Sequence, residues 1–305
     1  MRFAIFQDSI PGGRPTNQDR VAYSYSTDAV LLLLADGMGG HLHGEIAAEI
    51  AVRITLSRFE REAKPRIANP KEFLTDSLLA AHRAIEDYAV THAMAESPRS
   101  TFVACVVQDK VAHWIHAGDS RLYLYRKNDL INRTRDHSRV QHLVDAGVIT
   151  TKMAETHPDR NKIYSCVGGP MTPQFDLSDP VTLQQDDIFV LSSDGFWGEV
   201  GIDEIIEACR SSVIMEAMPQ LMRLANTRAG AAADNISVVA MTWDHLEPGT
   251  QISSISTATM PLGSVSTQMG GSIEDRRSAH VDVTDEEIEN AIAEIQDAIK
   301  RYSKD

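Results

Sequence analysis

Residues 29–36 read Ala-Val-Leu-Leu-Leu-Leu-Ala-Asp, with Gly37, Gly39 and Gly40 close behind. No other feature constrains the fold of this chain as much. An unbroken apolar run has no polar face, so it predicts a strand buried on both sides. The glycines after it predict a tight turn that another backbone or a ligand can approach closely. Asp36 is thereby held at the rim of a rigid core. An aspartate opening a turn is also ordinary turn chemistry, so this stretch alone leaves both readings open.

The 305 residues suffice for one large domain or two small ones. With 29 Lys and Arg against 43 Asp and Glu, the formal charge is −14. That disfavours nucleic acid or an anionic membrane surface as a partner. Cys105, Cys166 and Cys209 are odd in number, far apart and form no CxxC, which predicts a reducing compartment. The start, MRFAIFQDSIPGG, carries too short an apolar run for a signal peptide. The longest apolar run falls far short of the ~20 residues of a membrane span. The expectation is a cytoplasmic protein.

Periodicity predicts strands at 2–7, 21–25, 30–35, 101–108, 111–116, 121–126, 187–192 and 236–243. Helical spacing predicts helices at 44–63, from Asn69 as N-cap to about residue 95, and at 138–146, 202–210 and 213–227. Residues 10–16 form a Pro/Gly loop carrying Arg14. Residues 150–169 are polar and irregular, the kind of long surface segment that often covers a site, and His137 is a candidate cap for the helix at 138–146. Residues 247–283, rich in Ser, Thr, Gly and Met, read as a flexible linker. In 284–305, Thr284 and Glu287 make a capping box, and Ile288, Ile292, Ile295, Ile299 and Tyr302 form a narrow apolar seam. Such an amphipathic helix packs back on the domain or meets a partner. The division is thus 1–246, 247–283 and 284–305.

Asp36, Asp119 and Asp194 each follow an apolar strand and sit beside a glycine, and Asp234 stands just before a strand. If these strands belong to one pair of stacked sheets, the four carboxylates can converge at one rim. Carboxylates so placed repel unless a cation holds them. Oxygen ligands alone favour Mg²⁺ or Mn²⁺, and an open pair of such ions suits in-line attack on phosphorus. The guanidinium of Arg14 can grip a phosphate with two parallel hydrogen bonds, although a loop arginine is often merely solvated.

Arg14-Pro-Thr-Asn-Gln-Asp19, Asp36-Gly-Met-Gly-Gly-His41, Gly118-Asp-Ser-Arg121, Asp136-His-Ser138, Ser193-Asp-Gly195 and Ala233-Asp-Asn235 occur in that order. In these motifs the chain resembles the metal-dependent serine/threonine protein phosphatases of the 2C type, in their prokaryotic form, over about residues 1–243. The resemblance implies an α+β fold, a four-layer α-β-β-α sandwich of two mostly antiparallel sheets flanked by helices. It implies two Mn²⁺ or Mg²⁺ ions, bridged by Asp36, with the Gly37 carbonyl on one and Asp194 and Asp234 on the other. Asp19 would orient water, Arg14 would hold the substrate phosphate, and Asp119 with Asp194 would serve a weaker third ion. The nucleophile would be a water bridging two ions, and the substrates would be phosphoproteins, among them a serine/threonine kinase and its targets.

Two positions depart from the family. Met38 stands where many relatives carry a histidine as candidate general acid, with His41 and His43 nearby. Gly198, followed by Glu199, stands where some relatives carry an aspartate for the third ion. The rival reading, a non-catalytic phosphoprotein-binding scaffold, is opposed by the intact set Arg14, Asp36, Asp194 and Asp234. A phosphatase of the aspartyl-phosphate type needs a DxDx[TV] motif that the chain lacks.

Overall fold

The leucine run is buried on both faces, as its composition requires. In the computed structural model of the chain, which describes residues 1–38, 43–244, 255–256 and 265–269, strand Ala29–Ala35 is wholly buried. Leu31 and Leu33 point to a layer shared with helices Gly44–Glu62 and Pro70–Thr91. Val30, Leu32 and Leu34 point the other way, against Phe3, Leu122, Phe189, Leu191 and Met241 of a second sheet. A third apolar layer joins the far face of that sheet, through Val190, Val238 and Ala240, to helices Ile202–Ser211 and Ile214–Ala229. Side chains alternate across each strand, so these layers order the elements as α-β-β-α.

The first sheet runs, edge to edge, Ile255–Ser256, Arg2–Ile10, Ile236–Trp243, Ile188–Ser192, Arg121–Arg126 and Asp129–Arg133. The second runs Asp176–Leu177, Val111–Ala117, Phe102–Gln108, Ala29–Ala35, Arg20–Tyr25 and Val265–Met269. All these pairings are antiparallel. The α+β sandwich expected from the resemblance is therefore the fold.

Several elements differ from expectation. The first strand continues to Ile10 because Asp8, Ser9 and Ile10 keep pairing with Val238, Ser237 and Ile236. Asp129–Arg133 is a mostly exposed edge strand, which leaves no apolar alternation to read. The stretch 247–283, expected as an unpacked linker, contributes two short strands, one on the edge of each sheet. The helix expected at 284–305 lies outside the described residues, as does His41.

The segment after Thr134 leaves the sandwich and returns near Ser165. It carries helices Arg139–Asp145 and Thr151–Glu155. Its two ends are pinned together by a bridge between Ser138 and Ile163 and by the Arg139 N–H donating to the Lys162 carbonyl at 2.9 Å. Ser138 caps its first helix, accepting from the Gln141 N–H at 3.2 Å. His137, expected as the cap, is one residue too early. Its imidazole is turned back to the sandwich instead.

Candidate metal centre

Asp36 leaves the buried strand at its C-terminal end, and its backbone is fixed by two neighbours. Its N–H donates to Thr101 Oγ1 at 2.9 Å, and its carbonyl accepts from the Thr101 N–H at 2.8 Å and from Ser100 Oγ at 2.9 Å. Gly37 then lies against Gly44 and Gln18. A Cβ there would stand 2.4 Å from Gly44 backbone atoms and 2.6 Å from the Gln18 carbonyl, so no larger residue fits.

The other aspartates are anchored by similar means. Thr101 Oγ1 also hydrogen-bonds Ser120 Oγ at 2.7 Å, tying Asp36 to the turn that bears Asp119. In that turn Gly118 has φ +113°, and a Cβ would press on the Thr101 side chain. Asp194 opens a one-turn helix after Ser193, whose N–H donates to the Ser237 carbonyl and whose Oγ accepts from the Ser237 N–H at 3.1 Å. Strand Ile236–Trp243 thus sets Asp194 beside Asp234.

Asn235 does more than the sequence disclosed. Its Nδ2 donates to the carbonyls of Pro11 and Thr16, both at 3.0 Å, and its Oδ1 accepts from the Gln18 N–H at 2.9 Å. One side chain therefore braces the loop that carries Arg14. Arg14 Nη2 reaches Asp234 Oδ2 at 2.7 Å.

Asp36, Asp119, Asp194 and Asp234, with Gly37 and Arg14, line one cavity of about 750 Å³. Burial, then the charges of Asp19, Asp194, Asp119 and Asp234, push the Asp36 carboxyl well above the usual carboxylate range. Asp194 is raised by burial, then by Asp119, Asp234 and Asp19. Burial pushes Asp119 up to about 7, with Asp136 adding and Arg121 opposing. Asp19 lies just behind, 1% exposed, and burial pushes it up to about 6. Its Oδ2 is buried without a hydrogen-bond partner. The five carboxylates expected from the sequence are therefore electrostatic neighbours.

Such a set is costly without compensation and fits hard divalent cations. The donors are all oxygens, spread around a cavity large enough for ions that keep several waters. The buried orphan oxygen of Asp19 is an acceptor awaiting a donor from that side. Gly198 brings no carboxylate to this cluster. Met38 lines the cavity and offers no proton.

Behind Asp119 the structure gives roles to Trp197, Arg121, Asp136 and His137 that the motifs did not disclose. The Trp197 indole donates to the Asp119 carbonyl at 3.0 Å, and Arg121 lies 3.5 Å over that ring. Arg121 grips Asp136 with two hydrogen bonds of 2.8 and 2.7 Å. On the other side, the His137 N–H donates to the Gly118 carbonyl at 2.8 Å and its Nδ1 accepts from the Gly118 N–H at 3.3 Å. Among the described residues, His116, His137 and Asp176 have ligand atoms within 4.8 Å of one another. The two imidazoles stack, however, at 4.6 Å and 23°. One nitrogen of each ring is already engaged, His116 Nε2 with the Arg135 carbonyl at 2.7 Å and His137 Nδ1 with the Gly118 N–H, and it is His137 that braces the Asp119 turn.

Two antiparallel sheets with four carboxylates and an arginine around one cavity make a candidate metal-dependent phosphate-binding centre. The protein phosphatase 2C family matches residues 12–232. The chain is 31% identical over 227 residues to protein phosphatase PhpP of Streptococcus pneumoniae, covering 74% of this chain and 91% of that one. The structure resembles that of the serine/threonine phosphatase Stp1 from Staphylococcus aureus, with TM-score 0.71, 30% identity, and 81% and 95% of the two chains covered. It also resembles the catalytic domain of serine/threonine protein phosphatase PstP solved with two manganese ions, with TM-score 0.67, 29% identity, and 79% and 98% covered. The chain belongs to the protein phosphatase 2C family.

Proposed function

We propose that this protein hydrolyses phosphoserine and phosphothreonine in other proteins, using two divalent cations, Mn²⁺ or Mg²⁺, and opposes a serine/threonine kinase in the cytoplasm. The observation that carries this is the meeting of Asp36, Asp119, Asp194 and Asp234 with Arg14 around one cavity. No helix among the described residues is long and apolar enough to cross a membrane.

Asp36, the Gly37 carbonyl, Asp194 and Asp234 would hold the cations, and Asp119 with Asp194 would add a weaker site. When bound, such a pair supplies Lewis acidity for attacking water and positive charge for the phosphoryl oxygens. Arg14 binds the substrate phosphate and orients it for in-line displacement. Asn235 keeps the Arg14 loop in place while this happens. Asp19, behind the cavity, orients water through its carboxylate. The segment 136–161 touches the protein substrate, so its deletion lowers activity on phosphopeptides more than on a small aryl phosphate.

The test is hydrolysis of a phosphothreonine peptide with and without added Mn²⁺, by wild type and Asp194→Asn. Activity should require the metal and fall in the variant. Activity indifferent to both would reject the proposal.

A further inference from the structure

Part of the cavity wall belongs to the segment that leaves the sandwich after Thr134 and returns near Ser165. Asn161, Lys162 and Ile163 line it there. Among the described residues, Arg14 and Lys162 are the cations in that lining. They face four carboxylates, whose charge a pair of divalent cations would offset. Arg14 then has the phosphate to hold, and Lys162 has no counterpart in the reaction proposed above.

Lys162 is not on a loose tip. Its carbonyl accepts from the Arg139 N–H at 2.9 Å, next to the bridge that closes the segment's base. Its ammonium touches Asp159 Oδ1 at 2.8 Å, while Arg139 Nη1 takes Asp159 Oδ2 at 3.0 Å. Two cations therefore share one carboxylate, and the trio keeps a net positive charge. Both cations are exposed, Lys162 by 65% and Arg139 by 63% of the side chain, whereas Asp159 is 19% exposed. This cationic spot borders the cavity of a chain whose net charge is −14. The field of the whole molecule repels an acidic partner, so attraction must come from a local feature.

We propose that Lys162, supported by Arg139, is a specificity-determining residue that receives an anionic group flanking the phosphorylated residue, so that acidic phosphoprotein sequences are preferred. This rests on the phosphatase reading above. A compact ammonium on a flexible stem suits a nearby carboxylate or second phosphate of variable placement better than a fixed fork would.

The experiment uses the full chain with Mn²⁺ and three phosphothreonine peptides of equal length: neutral flanks, Asp and Glu flanks, and neutral flanks with a second phosphothreonine. The readout is the ratio of kcat/KM between each anionic peptide and the neutral one. Wild type should favour an anionic peptide by about fivefold, the upper range for an exposed ion pair, and less at high salt. Lys162→Gln should bring the ratio near one, Lys162→Glu should invert it, and Lys162→Arg should keep it. Asp159→Asn, which removes the internal competitor, should raise it. A preference confined to the doubly phosphorylated peptide identifies phosphate, not carboxylate, as the anion read. An unchanged ratio in Lys162→Gln overturns the inference. So does a fall in Asp159→Asn matching that in Lys162→Gln, since the segment's shape would then be responsible. If wild type cleaves no peptide at all, the phosphatase reading fails, which is a different result.

Discussion

Asp19→Asn should make the metal-free protein more stable, although the residue belongs to the candidate centre. Asp19 is 1% exposed and its carboxyl is pushed from 3.8 to about 6, chiefly by burial. At ~1.4 kcal/mol per unit, the ionised folded state bears a penalty of about 3 kcal/mol. Below pH 3.8 both folded and unfolded states hold the proton and no penalty exists. As pH rises towards 6 the unfolded chain ionises first, so wild type loses stability, and above 6 the loss is complete. An asparagine escapes this and keeps an oxygen for the hydroxyls of Ser237 and Ser193, though it forgoes a charge-assisted bond. The net gain is then ~2 kcal/mol, or about 4–8 °C for a domain of this size. Calorimetry in EDTA at pH 4.5, 6 and 7.5 should show the variant's advantage growing with pH and levelling off. Equal melting at pH 7.5, or an advantage that shrinks as pH rises, would refute the reasoning.

Three further outcomes follow from the same geometry. Arg14→Ala should lower kcat/KM on phosphopeptides about 10- to 100-fold, the worth of hydrogen bonds to a charged group, with kinetics as the check. Arg121→Ala strands the buried Asp136, 6% exposed at its side chain, and removes the stack on Trp197. It should cost about 3–5 kcal/mol in urea unfolding, and Arg121→Lys should restore less than half, since an ammonium cannot bind both oxygens. Truncation after Asp244 uncovers the edges of Arg2–Ile10 and Arg20–Tyr25. The product should scatter more light on warming than the full chain, as exposed edges invite pairing between molecules.

What could be read in advance followed from burial. Seven consecutive apolar residues have one economical home, a strand with cores on both faces, and Ala29–Ala35 has it. Aspartates at strand ends could be seen because the strands before them were apolar. Their convergence depended on sheet order, which the motif series supplied and local periodicity did not. Asn235 stood in a motif, but its role was not legible because it consists of three hydrogen bonds to backbone atoms far away in sequence. His137 was misjudged for a similar reason. Capping is a local rule, and its partner is Gly118, 19 residues upstream. The tail strands gave no signal because edge pairing runs through main-chain groups that every residue carries.

Titration of Mn²⁺ into the EDTA-treated full chain by calorimetry is the most direct measurement of all. Carboxylates from Asp36, Asp194 and Asp234 sharing divalent ions predict at least two bound per chain in wild type, and weaker or fewer sites in Asp36→Asn and in Asp194→Asn alike. Binding that is absent in wild type, or identical in all three proteins, would contradict the shared centre.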